Sequence, residues 1–459
     1  MSTSSTYLLE RAWVDGAVCD DVLVTVADGR FAEVVVESPA GRGFLTLSAV
    51  ATPNNVSESL TTQSVLRIPG LTLPGLANTH SHAFHRALRG RTQRERGTFW
   101  TWREQMYAVA ARLEPDSYYD LALATYREMA AAGITGVGEF HYLHYQPDGT
   151  PYDDPNAMGR ALIQAAHDAG IRIALLDTCY LSSGFGKPPE GVQVRYSDGT
   201  AEAWAERVDR LQADGSAVVG AAIHSVRAVP AEQLPTVSDW AQQRPLHVHL
   251  SEQVAENDAC AAAYGVTPTR LLHDHGVLGP LTSAVHATHL TDDDIATLGE
   301  TQTFASFCPT TERDLGDGIG PSRRLHEAGS RLTLGSDSHA VIDLFEEMRA
   351  VELDERLASQ QRGHWSAAEL LAAATTDGHS SLGFSDAGAI AKGQRADLVT
   401  IDTNTPRTAG TGRDENTAVF AAAAEDVTQV MVDGRVVVRQ GDREEIGRQL
   451  DAAIGRLWE

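Results

Sequence analysis

The sequence predicts an α/β protein: a (β/α)8 barrel of the triosephosphate-isomerase type, joined to a small β-sandwich built from both chain ends. Three observations predict it. Residues 73–385 alternate strand-like apolar runs with stretches of helical spacing, and eight such runs can be counted. The flanking segments, 1–72 and 386–459, carry short β-like runs broken by Asp-Gly pairs. The length of 459 residues suits one large barrel with a smaller accessory domain.

In the first segment the β-like runs are 5–14, 22–26, 31–36 and 65–69, with hairpin signals at Asp15-Gly16 and Asp28-Gly29. Residues 37–63 are rich in Ser, Thr, Gly and Asn and are expected to form a long loop insertion. The barrel strands are expected at 75–78, 136–140, 172–177, 218–223, 246–250, 284–287, 303–307 and 332–335, with helices such as 118–132, 157–169 and 200–214 between them. The last segment returns to short strands at 396–402 and 427–438, the second folded at Asp433-Gly434. Either end alone is too small to bury a core well, so the two are expected to pair into one domain.

Composition narrows the function. The net charge of −25 excludes nucleic acid and an anionic membrane as partners, and requires that any anionic substrate be held by local cations. No apolar run is long enough for a transmembrane helix, and no secretory signal is expected, so the reading is a cytoplasmic protein. Cys19, Cys179, Cys260 and Cys308 stand far apart without a C-x-x-C pair, which excludes a zinc ribbon and a thioredoxin-like motif.

The chemistry gathers at strand ends. His80 and His82 follow the first barrel strand at i and i+2, which puts both imidazoles on one face. Such a pair alone is a weak metal signal. His247-Val-His249-Leu-Ser-Glu252 ends the fifth strand, His286-Ala-Thr-His289 the sixth, and Ser336-Asp337-Ser-His339 the eighth. A barrel enzyme carries its catalytic groups at these C-terminal ends, so the joint signal points to a metal-dependent hydrolase.

In these strand ends the chain resembles the amidohydrolase superfamily, in its branch of one-metal deaminases. The resemblance implies one divalent metal ion, zinc before others, held by His80, His82, His249 and Asp337. It implies that Glu252 moves protons as acid and base, that His286 orients the attacking water, and that Asp337 accepts its proton. Five blocks narrow the match: 78–87 (Asn-Thr-His-Ser-His-Ala-Phe-His-Arg-Ala), 99–107 (Phe-Trp-Thr-Trp-Arg-Glu-Gln-Met-Tyr), 139–142, 223–229 and 308–318. Together they resemble the formimidoylglutamate deiminases, which convert N-formimino-L-glutamate to N-formyl-L-glutamate and ammonia in histidine breakdown. Two positions depart from that family: His85 stands where Gln is common, and Ile223 where Pro is common.

An anionic substrate with two carboxylates needs planar cationic donors, which Arg103 and Arg227 can supply. The resemblance puts both, with Tyr142, at the substrate's glutamate portion; His85 joins the substrate-binding set, and His224, beside the 225–227 stretch, is expected to contact substrate near the metal. Glu139 and His141 share a strand face and are read either as groups that orient the ligands or as a satisfied polar layer. His289 and His339 are read as neighbours without a role, and Trp100, Trp102 and Tyr107 as packing. Another deaminase of the superfamily, acting on a purine, pyrimidine or adenosine derivative, is one alternative; a catalytically inactive binding scaffold is the other. A homodimer is left open, as barrels of this family are often dimers.

Overall fold

The computed structural model describes residues 4–36, 65–93, 99–213 and 215–459. The loop insertion expected at 37–63 lies outside these residues. Among the described residues four strands come first: β1 (Ser5–Val14), β2 (Ala17–Ala27), β3 (Arg30–Val35) and β4 (Leu66–Pro74). Eight follow: β5 (Leu76–Ser81), β6 (Ile134–His141), β7 (Arg172–Cys179), β8 (Ala217–Ile223), β9 (Leu246–Leu250), β10 (Thr282–His286), β11 (Phe304–Phe307) and β12 (Leu332–Leu334). The last three are β13 (Leu398–Ile401), β14 (Val427–Val432) and β15 (Arg435–Arg439).

Strands β5 to β12 form one eight-stranded sheet in simple sequence order. Each consecutive pair is parallel. The ends of this sheet meet across the Ser81–Asp337 bridge, where Ser336 and Asp337 both donate backbone N–H groups to the His80 carbonyl at 3.1 and 2.9 Å. Asn78 braces the same seam, donating from Nδ2 to Ser336 Oγ at 2.7 Å and accepting from Ser336 N at 2.9 Å. The barrel therefore closes at the segments that carry His80, His82 and Asp337.

The two chain ends share a second, seven-stranded sheet in the order β15-β14-β13-β4-β1-β2-β3. It bends back on itself: Phe31 N donates to Gln394 O, and Ala396 N to Gly29 O. Leu9, Val24, Phe31, Ile68, Leu398 and Met431 are buried between the facing layers. Its three hairpins turn at Asp15-Gly16, Asp28-Gly29 and Asp433-Gly434, each pair at positive φ, as two-residue I′ turns require. Sheet and barrel join at Gly75, between β4 and β5. A Cβ there would lie 2.3 Å from Thr135 Oγ1, so no side chain fits. A buried ion pair between Arg172 on β7 and Asp397 before β13 crosses the same junction.

The last segment holds more than short strands. Arg443–Trp458 is a helix, with Ile446, Leu450, Ala453 and Leu457 buried on one stripe. It packs on the barrel helix Pro115–Ala131, where Arg127 donates to Gln449 Oε1 at 2.7 Å. The helix expected over 200–214 is shorter, Ala201–Val208, and starts at Thr200, whose hydroxyl caps Ala203 N. Among the described residues no helix is long and apolar enough to cross a membrane.

Candidate active site

The C-terminal strand ends converge on one buried cluster. His80 and His82 leave β5, His249 leaves β9, and Asp337 follows β12. His80 Nε2 lies 3.1 Å from His249 Nε2, and 3.3 Å separates Asp337 Oδ1 from Nε2 of both His80 and His82. Backbone carbonyls fix two of the rings. His82 Nδ1 donates to Phe140 O and His249 Nδ1 to His224 O, each at 2.9 Å, so their Nε2 atoms turn lone pairs inward. Burial lowers the pKa of His80 to about 3 and also lowers His82 and His249, so the rings stay neutral near pH 7. Imidazole lone pairs and a carboxylate facing one another in a dry pocket repel unless a cation sits among them. His80, His82 and His249 form one group of three nitrogens, and with the Asp337 carboxylate 3.3 Å from two of them the donor set fits a zinc-type divalent ion.

The backbone at these strand ends is strained. Ser251, His286, Ala287, Asp337 and His339 are non-glycine residues at φ between 35° and 69°. This conformation turns Asp337 and His286 toward the cluster from the ends of their strands.

Next to the cluster lie Glu252 and His286. His286 Nε2 is 3.9 Å from Glu252 Oε1 and 3.8 Å from Asp337 Oδ2. Its Nδ1 faces Glu312 Oε1 at 3.3 Å. Burial alone would lower the His286 pKa, but Glu252, Glu312 and Asp337 together raise it to about 10. Burial holds Glu252 above the usual carboxylate range, against the pull of His286. Glu312 was not among the residues the sequence singled out. It also secures the start of its own helix, Pro309–Leu315, accepting from Cys308 N at 2.9 Å.

A single cavity joins this cluster to the other expected site residues. His82, His85, Arg103, Tyr142, His224, Arg227, His249, Glu252, His286 and Asp337 line it, and His80 lies fully buried within the cluster. His85 Nε2 pairs with Tyr142 Oη at 3.1 Å, and its ring centre is 4.5 Å from that of His82. Burial and the neighbouring His82 push the His85 pKa well down; burial and Arg227 do the same for His224. Both rings are therefore neutral at pH 7, and the cations that line the cavity are Arg103, Arg227 and His286. Arg227 Nε donates to Glu256 Oε2 at 2.7 Å, and Glu256 Oε1 accepts from Ser251 N at 3.2 Å. Glu256, unread in the sequence, thus ties Arg227 to the turn that follows His249.

Trp102 and Tyr107 pack against the hydrophobic core, as expected, and their other side lines the cavity. Arg103 Nε donates to Tyr107 Oη at 2.6 Å. The helix Phe99–Ala110 carries Trp102, Arg103, Met106 and Tyr107 to one rim at spacings of three and four, and aromatic residues so spaced look like a core stripe in sequence. The side chain of Trp100 lies outside the described set. Tyr180 and Tyr196 also line the cavity, reaching it from segments with no periodic signal.

Glu139 and His141 part company. Glu139 accepts from Ser81 Oγ at 2.7 Å and Ala83 N at 2.6 Å, bracing the loop that bears both β5 histidines, and burial raises its pKa to about 7. His141 instead neighbours His144 and Asp177, in a buried group organised by Arg207. The inward residue of β6 is Phe140, whose ring stacks on His249 at 4.3 Å. His339 Nε2 meets Ser81 Oγ at 3.0 Å, and His289 Nε2 donates to Asp317 O at 2.8 Å.

Comparison with known proteins gives the family and the fold. The amidohydrolase family model matches residues 71–437. The formimidoylglutamate deiminase of Pseudomonas aeruginosa is 38% identical over 393 residues, which cover 82% of this chain and 86% of that protein. The 5'-deoxyadenosine deaminase of Methanothermobacter thermautotrophicus is 29% identical, over 82% of this chain and 83% of that one. The crystal structure of an amidohydrolase from Brucella melitensis superposes with a TM-score of 0.85 at 30% identity, covering 99% of this chain and 100% of the other. The chain belongs to the amidohydrolase family and is a hydrolase.

Proposed function

We propose that this chain hydrolyses N-formimino-L-glutamate to N-formyl-L-glutamate and ammonia, with a divalent cation, zinc, held by His80, His82, His249 and Asp337. The observation that carries this reading is the pairing, in one cavity, of the donor cluster with Arg103 and Arg227. Two guanidinium groups suit the two carboxylates of that substrate, and a neutral nucleobase has no need of them. The likeness to the Pseudomonas aeruginosa formimidoylglutamate deiminase supports the same substrate.

When bound, the cation supplies Lewis acidity that makes water nucleophilic near neutral pH. Asp337 accepts the proton that the attacking water loses. Glu252, kept above the usual carboxylate range by burial, carries a proton to the imino nitrogen. As the carbon–nitrogen bond breaks, the proton remaining on the added oxygen passes through Glu252 to the leaving nitrogen, so that ammonia departs with both protons of water and the oxygen stays on the formyl carbon. His286, placed between Glu252 and Asp337 and braced by Glu312, orients the reacting water. Arg103, Arg227 and Tyr142 bind the glutamate portion, while His85 and His224 contact the substrate nearer the metal donors, their rings 4.5 Å from His82 and 5.1 Å from His249. His85 offers a neutral, hydrogen-bonding nitrogen beside Tyr142, the kind of contact a glutamine there would also make.

The test is product balance. The zinc-loaded protein should release ammonia and N-formyl-L-glutamate in equal amounts from N-formimino-L-glutamate. Absence of either product refutes the assignment.

A further inference from the structure

Gln193 sits in the turn Gly191–Tyr196 and is 4% exposed. Its Nε2 donates to Tyr107 Oη at 3.1 Å and to Tyr180 Oη at 2.7 Å. Its Oε1 accepts from Glu190 N at 3.2 Å. That backbone donor fixes which end of the amide faces which neighbour, because the reverse would set two N–H groups against each other. Both amide protons are therefore committed to phenol oxygens.

Tyr107 Oη also accepts from Arg103 Nε, which uses its second lone pair. A phenol oxygen that only accepts has its own proton left to give. Tyr180, accepting from the amide, likewise turns its proton away from Gln193. Burial pushes the Tyr180 pKa up to about 12, which keeps that proton in place. Both tyrosines line the cavity beside Arg103 and Arg227.

We propose that Gln193 is a positioning residue that makes Tyr107 and Tyr180 hydrogen-bond donors, completing with Arg103 and Arg227 a donor-only wall that reads a carboxylate of the substrate. The inference rests on the proposed anionic substrate and adds what selects it. A wall of donors favours a group that only accepts; a nucleobase edge mixes donors with acceptors and leaves some of them unmatched. Glutamate at position 193 would reverse the polarity, since a carboxylate accepts from both hydroxyls and turns their lone pairs toward the cavity.

The experiment compares kcat/KM for N-formimino-L-glutamate with that for its diamide, in zinc-loaded wild type, Gln193→Glu and Gln193→Met. The wild-type preference for the dianion should fall about tenfold or more in Gln193→Glu and about threefold in Gln193→Met. A preference within about twofold of wild type in Gln193→Glu overturns the proposal. So does a loss confined to Gln193→Glu, which would assign the effect to charge repulsion. If neither variant folds, Tyr180→Phe carries the test: one donor lost should lower the preference, and an unaltered preference overturns the proposal. Calorimetric binding of N-formyl-L-glutamate separates this inference from the substrate assignment. Should wild type release no ammonia while Gln193→Glu still weakens that binding about tenfold, the assignment falls and the donor wall stands. Turnover with unweakened binding has the opposite meaning.

Discussion

Replacing Arg227 with Met separates two tasks of one side chain. In the proposed function the guanidinium binds a substrate carboxylate; in the structure it lines the cavity and neutralises Glu256, whose side chain is 4% exposed. A charge-assisted hydrogen bond contributes about 1.5–3 kcal/mol, so losing one to the substrate should raise KM roughly 10- to 150-fold. The loss is of binding, so kcat should change far less than KM. Removing the cation also strands a buried carboxylate, which typically costs about 3–5 kcal/mol of stability. Glu256 keeps its bond from Ser251 N, and Arg227 is 26% exposed, so the lower end of that range is expected. The double variant Arg227→Met/Glu256→Gln removes the stranded charge. It should recover most of the stability and none of the affinity. Ammonia-release kinetics give KM, and urea unfolding gives the stability. An unchanged KM in Arg227→Met would refute the placement of Arg227 at the substrate, and a double variant with restored KM would trace the effect to a loosened fold instead.

Glu252→Gln should keep a full complement of metal by elemental analysis yet lose kcat by a factor of about 10² to 10⁴; normal turnover would remove Glu252 from proton transfer. On β7, Asp177 is fully buried against Arg207 at 2.8 Å, and although burial opposes ionisation, Arg207 holds its pKa well below the usual carboxylate range. That pair's stabilisation should be complete above the unfolded value near about 3.9 and fade as pH drops toward the lower folded value. Asp177→Asn should therefore cost roughly 3–5 kcal/mol at pH 7, with the gap to wild type narrowing below about pH 4; a gap independent of pH would contradict the ion pair's role. With a net charge of −25, the chain should also melt at higher temperature as salt rises from about 0.1 to 1 M and the Debye length shrinks from about 10 to 3 Å. A flat or falling melting temperature would show that self-repulsion is negligible.

Features set by local rules were legible in the sequence. Asp-Gly pairs demand positive φ, and all three mark real hairpins. Eight apolar runs announced eight barrel strands, because a parallel strand covered on both faces must be apolar along its length. The H-x-H spacing of His80 and His82 needed only the two-residue period of a strand. Other features depend on where the chain goes next. Glu139 and His141 lie on the same side of β6, but sequence does not say which side faces the barrel axis; Phe140 does. Gln193, Tyr180 and Glu256 acquire their meaning from partners 86, 13 and 29 residues away, which no local spacing announces. The helix Arg443–Trp458 is a different case. Its stripe of Ile446, Leu450, Ala453 and Leu457 was present in the text, but adjoining strand-like runs drew the reading toward β structure.

The most direct test of the account is a comparison of kcat/KM for ammonia release from N-formimino-L-glutamate, guanine, cytosine and S-adenosylhomocysteine by the zinc-loaded protein. The donor cluster is compatible with deamination of all four, and the two arginines are what separate the first from the rest. N-formimino-L-glutamate should exceed every other member by at least about a hundredfold, the worth of two lost charge-assisted contacts. A higher value for any of the other three would contradict the assignment of the Arg103–Arg227 wall to a dicarboxylate.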